Sequence, residues 1–111
     1  MSDKEFRIDP EELEDKVKGM GYSIVSNMIL KDGMKVGFMY REEPFDEEDS
    51  GWRFLSGMET EDYLDNDENS KAIGVNAVAN YDPAIIPYLN SKRGISLERV
   101  EGSERFNELD D

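Results

Sequence analysis

The sequence contains no cysteine and no histidine, and these two absences exclude most common catalytic and metal chemistry. Without cysteine there are no disulfides, no thiolate nucleophile and no cysteine-based zinc or iron–sulfur site. Without histidine there is no imidazole ligand and no side chain that ordinarily titrates near neutral pH. The glycines form no G-x-G-x-x-G or Walker-type phosphate loop. We therefore predict a protein that is not an enzyme and that binds no cofactor or metal.

Long apolar segments are also missing, because no run approaches the roughly 18 residues that a membrane-spanning helix needs. Residues 1–5 lack the basic and apolar regions of a secretory signal. The lack of cysteine is compatible with a reducing compartment, although many secreted proteins also lack it. We expect a cytoplasmic protein with no membrane segment.

Basic residues are scarce, since 13 lysines and arginines stand against 27 aspartates and glutamates, for a formal net charge of −14. Residues 42–68 hold twelve carboxylates and one cation, Arg53, so most of the net charge lies in one segment. Nucleic-acid phosphates and anionic lipids would repel this surface, because binding to either depends on lysine and arginine. The charge favours a basic protein as the partner, although acidic surfaces also serve solubility alone.

The length of 111 residues suits one domain, and we predict a single domain over residues 1–111. Hydrophobic residues make up 37% and charged residues 36%, so a modest core must lie under a highly charged surface. We expect this core over about residues 9–101 and a polar, frayed tail over 102–111, tethered by Phe106.

The spacing of apolar residues and caps predicts several short helices and strands. In Asp9-Pro10 and Asp82-Pro83, the aspartate can cap a helix and the proline suits its first position. Thr60 can cap a third helix. The predicted helices cover residues 10–19 and 59–64 and a segment beginning at Pro83. The predicted strands cover residues 22–30, 35–41, 52–56, 73–78 and 95–100.

Two connections carry further predictions. Asp32-Gly33 matches a two-residue hairpin turn, so the strand over 35–41 should return beside the strand before it. Dense like charge and a proline predict an irregular segment over residues 42–51, which we call the acidic loop. The order of elements predicts an α+β fold: a mainly antiparallel sheet of about five strands with two or three short helices.

The segment Asp65-x-Asp67-x-Asn69 copies the first three ligand positions of an EF-hand calcium loop. The match ends there, because Ser70 replaces the glycine of the sharp turn and Asn76 stands where the closing glutamate belongs. A capped acidic turn is the better interpretation, with calcium binding that is weak or absent. Pairs of carboxylates are numerous enough for acid–base chemistry, but in hydrophilic loops they are usually a solvated face.

Trp52 is the only tryptophan, and it follows the acidic loop. It suits either an anchor for a binding partner or a core residue beneath the loop, and the small apolar content favours the core. Arg53 is the only cation among the acidic residues around it, so we interpret it as a local charge organiser rather than a ligand-binding residue.

Several sequence blocks resemble a small bacterial family that was first described as a domain of unknown function and later grouped with immunity proteins of polymorphic toxin systems. The blocks are Val25-Ser26-Asn27, Gly33-x-x-Val36-Gly37-Phe38-Met39-Tyr40-Arg41-Glu42-Glu43-Pro44, Asp49-Ser50-Gly51-Trp52-Arg53-Phe54-x-x-Gly57, Asn80-Tyr81-Asp82-Pro83 and Ile86-Pro87-x-Leu89. The resemblance covers roughly residues 23–100. It implies a cytoplasmic α+β protein that neutralises a toxin by binding it, and it brings no catalytic residues with it.

Together these observations predict that residues 42–62 bind a basic protein, with Trp52 supporting the acidic loop from beneath. The carboxylates expected to steer the partner are Glu47, Glu48, Asp49, Glu59, Glu61 and Asp62. The alternative is an acidic regulatory or housekeeping interaction domain, in which the same loop serves a small ligand or another protein.

Overall fold

The computed structural model describes residues 16–17 and 19–109, which include six strands and three short α-helices. The strands are β1 (Tyr22–Ser26), β2 (Phe38–Arg41), β3 (Asp49–Leu55), β4 (Ser70–Gly74), β5 (Ser96–Arg99) and β6 (Phe106–Glu108). The helices are α1 (Asn27–Leu30), α2 (Glu61–Asp65) and α3 (Val75–Tyr81), with 3₁₀ helices at Asp67–Asn69 and Pro83–Tyr88. The predicted helix over 10–19 lies largely outside the described residues.

The strands form one mixed sheet in the order β4-β1-β3-β2-β5-β6. Four of its neighbouring pairs are antiparallel, and β1 runs parallel to β3. This arrangement confirms the α+β prediction, with six strands where about five were expected. The predicted strands over 52–56 and 95–100 and the helix over 59–64 are confirmed, each with bounds shifted by a few residues. Because β3 begins at Asp49, the last three residues of the segment predicted to be irregular belong to the strand, and the acidic loop in the structure is residues 42–48.

The predicted hairpin at Asp32-Gly33 is wrong, because β3 lies between β1 and β2 in the sheet. The strand predicted over 22–30 ends at Ser26, whose side chain accepts a hydrogen bond from the Met28 amide and caps α1. Asp32 and Gly33 therefore form the exit from a helix, with Gly33 at a φ of 79°. Aspartate and glycine are favoured both in hairpin turns and at helix exits, so the local sequence could not distinguish the two structures.

The strand predicted over 35–41 is β2, which begins only at Phe38. Met39 is fully buried and belongs to the core, whereas Phe38 and Tyr40 are half-buried on the opposite side of the strand. Successive residues of a strand point to opposite sides of the sheet. Because Met39 packs in the core, the rings of Phe38 and Tyr40 lie on the opposite face.

Two C-terminal predictions are also corrected. Of the strand expected over 73–78, only Ile73 and Gly74 belong to β4, and the other four residues begin α3. Asp82 caps the segment from Pro83 as expected, but that segment is a 3₁₀ helix. The tail is not simply frayed, since Phe106 is buried and begins β6 at the sheet edge.

The core lies on one face of the sheet, where α1, α3 and the 3₁₀ helix at Pro83–Tyr88 contribute apolar side chains. Val25, Phe54 and Met39 stand side by side on this face through the registers of β1, β3 and β2. The residues of alternate parity therefore point to the opposite face, which we call the open face. Its central position belongs to Arg53, which is in register with Ile24 and Tyr40.

Candidate functional site

The open face of the sheet carries a groove with a volume of about 400 Å³. Side chains of the sheet form its floor, and the acidic loop and α2 form its two walls. The floor includes Ile24, Tyr40, Arg53 and Ala72, and the walls present Phe45 and Leu64. The site is thus a concave surface between two acidic elements with mainly apolar contacts inside.

Arg53 organises the base of this groove, although only 4% of its surface is exposed. Its two terminal nitrogens donate to the two carboxylate oxygens of Asp49 at 3.0 and 2.8 Å, and its Nε donates to Glu42 at 2.6 Å. A further bond of 2.9 Å reaches the Trp52 carbonyl. These contacts confirm that Arg53 is a local charge organiser.

The two charges of this pair stabilise each other. Hydrogen bonds from Arg53 hold the pKa of Asp49 well below its usual range, against the opposing effect of burial. The bond to Asp49 likewise raises the pKa of Arg53, and burial opposes it. Both groups are therefore charged throughout the physiological pH range, and within the protein they neutralise each other.

The acidic loop is held in place by its own carboxylates. Asp46 accepts hydrogen bonds from the amides of Glu48 and Asp49 at 2.9 and 3.1 Å, and Asp49 accepts one from the Phe45 amide at 2.8 Å. The Glu48 carbonyl accepts a bond of 2.9 Å from the Tyr22 amide, which attaches the loop to β1. Two of the acidic side chains are thus used inside the loop.

Gly51 allows the acidic loop to pass close to β3. Its φ is 87°, and a Cβ at this position would lie 2.4 Å from the Glu42 carbonyl oxygen. A side chain cannot fit at this distance, so the Ser-Gly-Trp block of the sequence is needed for the local backbone geometry.

The seven predicted site residues fall into two groups. Four are exposed on the acidic loop and α2, the elements that supply the groove walls, but lie outside the groove lining: Glu47, Glu48, Glu61 and Asp62. The other three are engaged inside the protein: Asp49, Trp52 and Glu59. The steering role predicted for Asp49 gives way to a structural one, because its side chain is buried against Arg53.

Trp52 is fully buried, which confirms the core interpretation. Its Nε1 donates to the Leu89 carbonyl at 3.1 Å, and its ring stacks on Phe54 with centroids 5.9 Å apart. The guanidinium of Arg41 lies 5.7 Å from the ring centroid. Trp52 thus supports β3, which carries the floor of the groove, from the opposite face of the sheet.

Glu59 closes the turn between β3 and α2. Its carboxylate accepts bonds from the Ser56 amide and hydroxyl, both at 2.8 Å, and from the Gly57 amide at 2.9 Å. Burial acts to raise the pKa of Glu59, but hydrogen bonds from Ser26 and Ser56 outweigh it and lower the pKa. Glu59 therefore positions α2, which Thr60 then caps through a 3.1 Å bond to the Tyr63 amide.

Sequence reasoning missed the two apolar walls of the groove, Phe45 and Leu64. The available signal was Phe45 itself, a large aromatic residue among acidic neighbours in a polar loop. Its ring lies 5.0 Å from the Arg53 guanidinium, within the range of a cation–π contact. This contact could not be read from the chain, since it depends on the loop folding back over β3.

The partial calcium motif forms a capped turn. The Asn66 side chain accepts from the Glu68 amide, and Asn69 donates to the Tyr63 carbonyl at 2.9 Å. Across residues 16–17 and 19–109, no three carboxylates converge on a possible metal position. In the same part of the chain, no helix has the length and apolar character to cross a bilayer.

Comparison with known proteins agrees with the resemblance in the sequence blocks. The model of the immunity protein Imm33 domain matches residues 23–110, which include the groove and all six strands except Tyr22, the first residue of β1. Searches of the curated proteins and of the solved structures found no significant match. Because the family model covers most of the chain, this protein belongs to the Imm33 immunity protein family.

Proposed function

We propose that this protein neutralises a bacterial toxin in the cytoplasm by binding it directly, without catalysis. Membership of the Imm33 family carries this proposal, because immunity proteins generally act on toxins and are non-catalytic. The chemistry of the chain supports it, since neither cysteine nor histidine is present to act as a nucleophile or proton shuttle.

The distribution of charge supports a basic toxin domain as the partner. Asp49 and Arg53 cancel each other inside the protein, so the field outside comes from the remaining carboxylates. Glu47 and Glu48 on the acidic loop and Glu61 and Asp62 on α2 are exposed to solvent. Such a one-sided field accelerates association with a complementary surface and suppresses binding to acidic ones.

Co-expression in bacteria tests the proposal directly. A candidate toxin domain, chosen from the genes adjacent to this one, should stop growth when expressed alone, and co-expression of this protein should restore growth. The purified protein should also bind the catalytically inactivated toxin domain in titration calorimetry. Protection without measurable binding, or no protection at all, would show that direct neutralisation is wrong.

A turnover assay addresses the claim of no catalysis. The toxin domain should be recovered chemically unchanged from the complex, as judged by intact mass. A modified or cleaved toxin, with the change abolished by one carboxylate substitution in this protein, would identify an enzyme instead.

A further inference from the structure

We propose that the groove on the open face is the docking site, and that it receives an apolar side chain presented at the centre of a basic protein surface. This inference rests on the proposed function and specifies its interface. The occupant is therefore a protein whose contact surface has an apolar projection surrounded by lysine and arginine.

The distribution of exposed apolar residues points to the groove. Among the described residues, the large hydrophobic side chains that remain exposed are Phe45, Met58, Leu64 and Leu109. Two of these four, Phe45 at 74% and Leu64 at 42%, form the facing walls of the groove. An apolar slot within an otherwise charged surface is a common feature of protein–protein contact sites.

Phe45 is held in place by contacts within the free protein. Asp49 bonds to its backbone amide, and the Arg53 guanidinium lies under its ring. Both supporting side chains are buried and paired with each other, so the aromatic wall rests on a rigid base. Ordering such a residue costs little entropy on binding, which favours its use as an anchor.

The charges around the groove favour a basic partner. Glu42 and Asp67 line the groove itself, and the side chain of Glu42 is 45% exposed although it also binds Arg53. The lining also holds two cations, Lys71 and Arg53, and Arg53 is paired with Asp49 and Glu42. The excess of negative charge therefore comes from the exposed carboxylates of the acidic loop and α2, the two elements that supply the walls.

Lys16 and Val17, the first described residues, lie on the face of the sheet opposite the groove. The amides of Lys16 and Val17 donate to the Asn76 side chain at 2.8 and 3.0 Å, and Asn76 belongs to α3 on the core face. Neither Lys16 nor Val17 therefore lies in the groove.

Single-cysteine labelling tests the location, because the natural chain has no cysteine. Ala72→Cys places a thiol on the exposed floor of the groove, and Met58→Cys places one at an exposed position outside its lining. In the free full-length protein, a fluorescent maleimide should label both thiols at similar rates. Addition of the inactivated toxin domain should slow labelling at position 72 by about tenfold or more and leave position 58 unchanged.

Substitution of the walls tests the energetics. Phe45→Ala and Leu64→Ala should each weaken toxin binding by about tenfold or more, chiefly through faster dissociation, while Met58→Ala changes it by less than about twofold. Melting temperatures of the variants separate loss of the interface from loss of the fold.

The outcomes distinguish the two proposals. Suppose that the wild type binds the toxin, but the toxin leaves the thiol of the Ala72→Cys variant unprotected and the wall variants bind normally. This result would overturn the groove assignment and leave the proposed function intact. Slow labelling of the same thiol in the free protein would also overturn it, since the groove would then be covered by its own chain or a second copy. Failure of the wild type to bind the toxin would overturn both proposals.

Discussion

Asp49 and Arg53 show how one buried ion pair can shape a surface without belonging to it. The two residues lie four positions apart on the same side of β3 and make a bidentate contact. Burial of two charges is costly unless the remaining hydrogen bonds are satisfied, and here Phe45, Gly51 and Glu42 satisfy them. The pair therefore fixes the acidic loop from below.

Asp49→Asn should make the protein less stable at neutral pH and less sensitive to acid. The folded pKa of Asp49 lies below its unfolded value of about 3.9, so its stabilising effect is present above that value and is lost as the pH falls toward the folded pKa. Urea unfolding at pH 7 should show a loss of about 3 kcal/mol in the variant.

The pH series separates this pair from general surface charge. Between pH 5 and pH 3 the wild type should lose more unfolding free energy than Asp49→Asn, and the exposed-site control Glu47→Gln should follow the wild type. Parallel curves for wild type and Asp49→Asn would contradict the role given to the pair.

Trp52 and Phe45 provide a matched test of buried against exposed aromatic residues. Trp52→Ala should cost about 3–5 kcal/mol of unfolding free energy, because it leaves a cavity beneath β3 and removes the hydrogen bond from Trp52 Nε1 to the Leu89 carbonyl. Phe45→Ala should cost less than about 1 kcal/mol, since the ring is 74% exposed. Equal losses in chemical denaturation would show that Phe45 is a packing residue.

At the scale of elements, β6 extends the sheet beyond the predicted core. Phe106 packs edge-on against Tyr88 with ring centroids 5.2 Å apart, and its amide donates to the Tyr88 hydroxyl at 3.0 Å. The Arg99 guanidinium lies 5.0 Å from the Phe106 ring and also pairs with Asp82, the cap of the 3₁₀ helix. One strand thus joins the sheet edge to the helical side.

Phe106→Ala should destabilise the whole domain by about 3 kcal/mol rather than only loosen its end. The physical reason is that Phe106 is 6% exposed and fills space between Tyr88 and Arg99. The control Leu109→Ala, at a position 38% exposed, should change stability by less than about 0.5 kcal/mol. A cooperative unfolding curve unchanged by Phe106→Ala would support the frayed tail that the sequence predicted.

At the scale of the whole molecule, charge is uneven. The net charge of −14 includes twelve carboxylates between residues 42 and 68, the segment that also supplies both walls of the groove, and Glu42 and Asp67 line the groove itself. The field of this surface extends about 8 Å at physiological ionic strength, so it acts mainly on a partner that approaches this face.

Glu47→Gln with Glu48→Gln should slow association with the toxin domain and flatten its dependence on salt, with little change in dissociation. The melting temperature should stay nearly unchanged or rise slightly, because both side chains are exposed among like charges. Stopped-flow association rates at several salt concentrations measure the effect. The matched control removes the same charge at Glu101 and Glu104, which are exposed but lie outside the acidic segment 42–68, and should change the rate less.

The sequence alone determined the properties that depend on composition or on near neighbours. It excluded cysteine and histidine chemistry, located the acidic segment, and identified the caps at Thr60 and Asp82 and the buried state of Trp52. These features could be predicted because a cap forms its hydrogen bond within three residues, and because a small domain needs its largest apolar side chain in the core.

The tertiary structure decided which strands are neighbours and which carboxylates remain free. A backbone strand bonds equally well to any extended neighbour, so Asp32-Gly33 could not reveal that β3 separates β1 from β2. Asp49 and Glu48 are adjacent in the chain, yet one is buried by Arg53 and the other faces solvent. The groove with its wall at Phe45 exists only because the chain returns over β3, and contacts between distant segments are not encoded in local spacing.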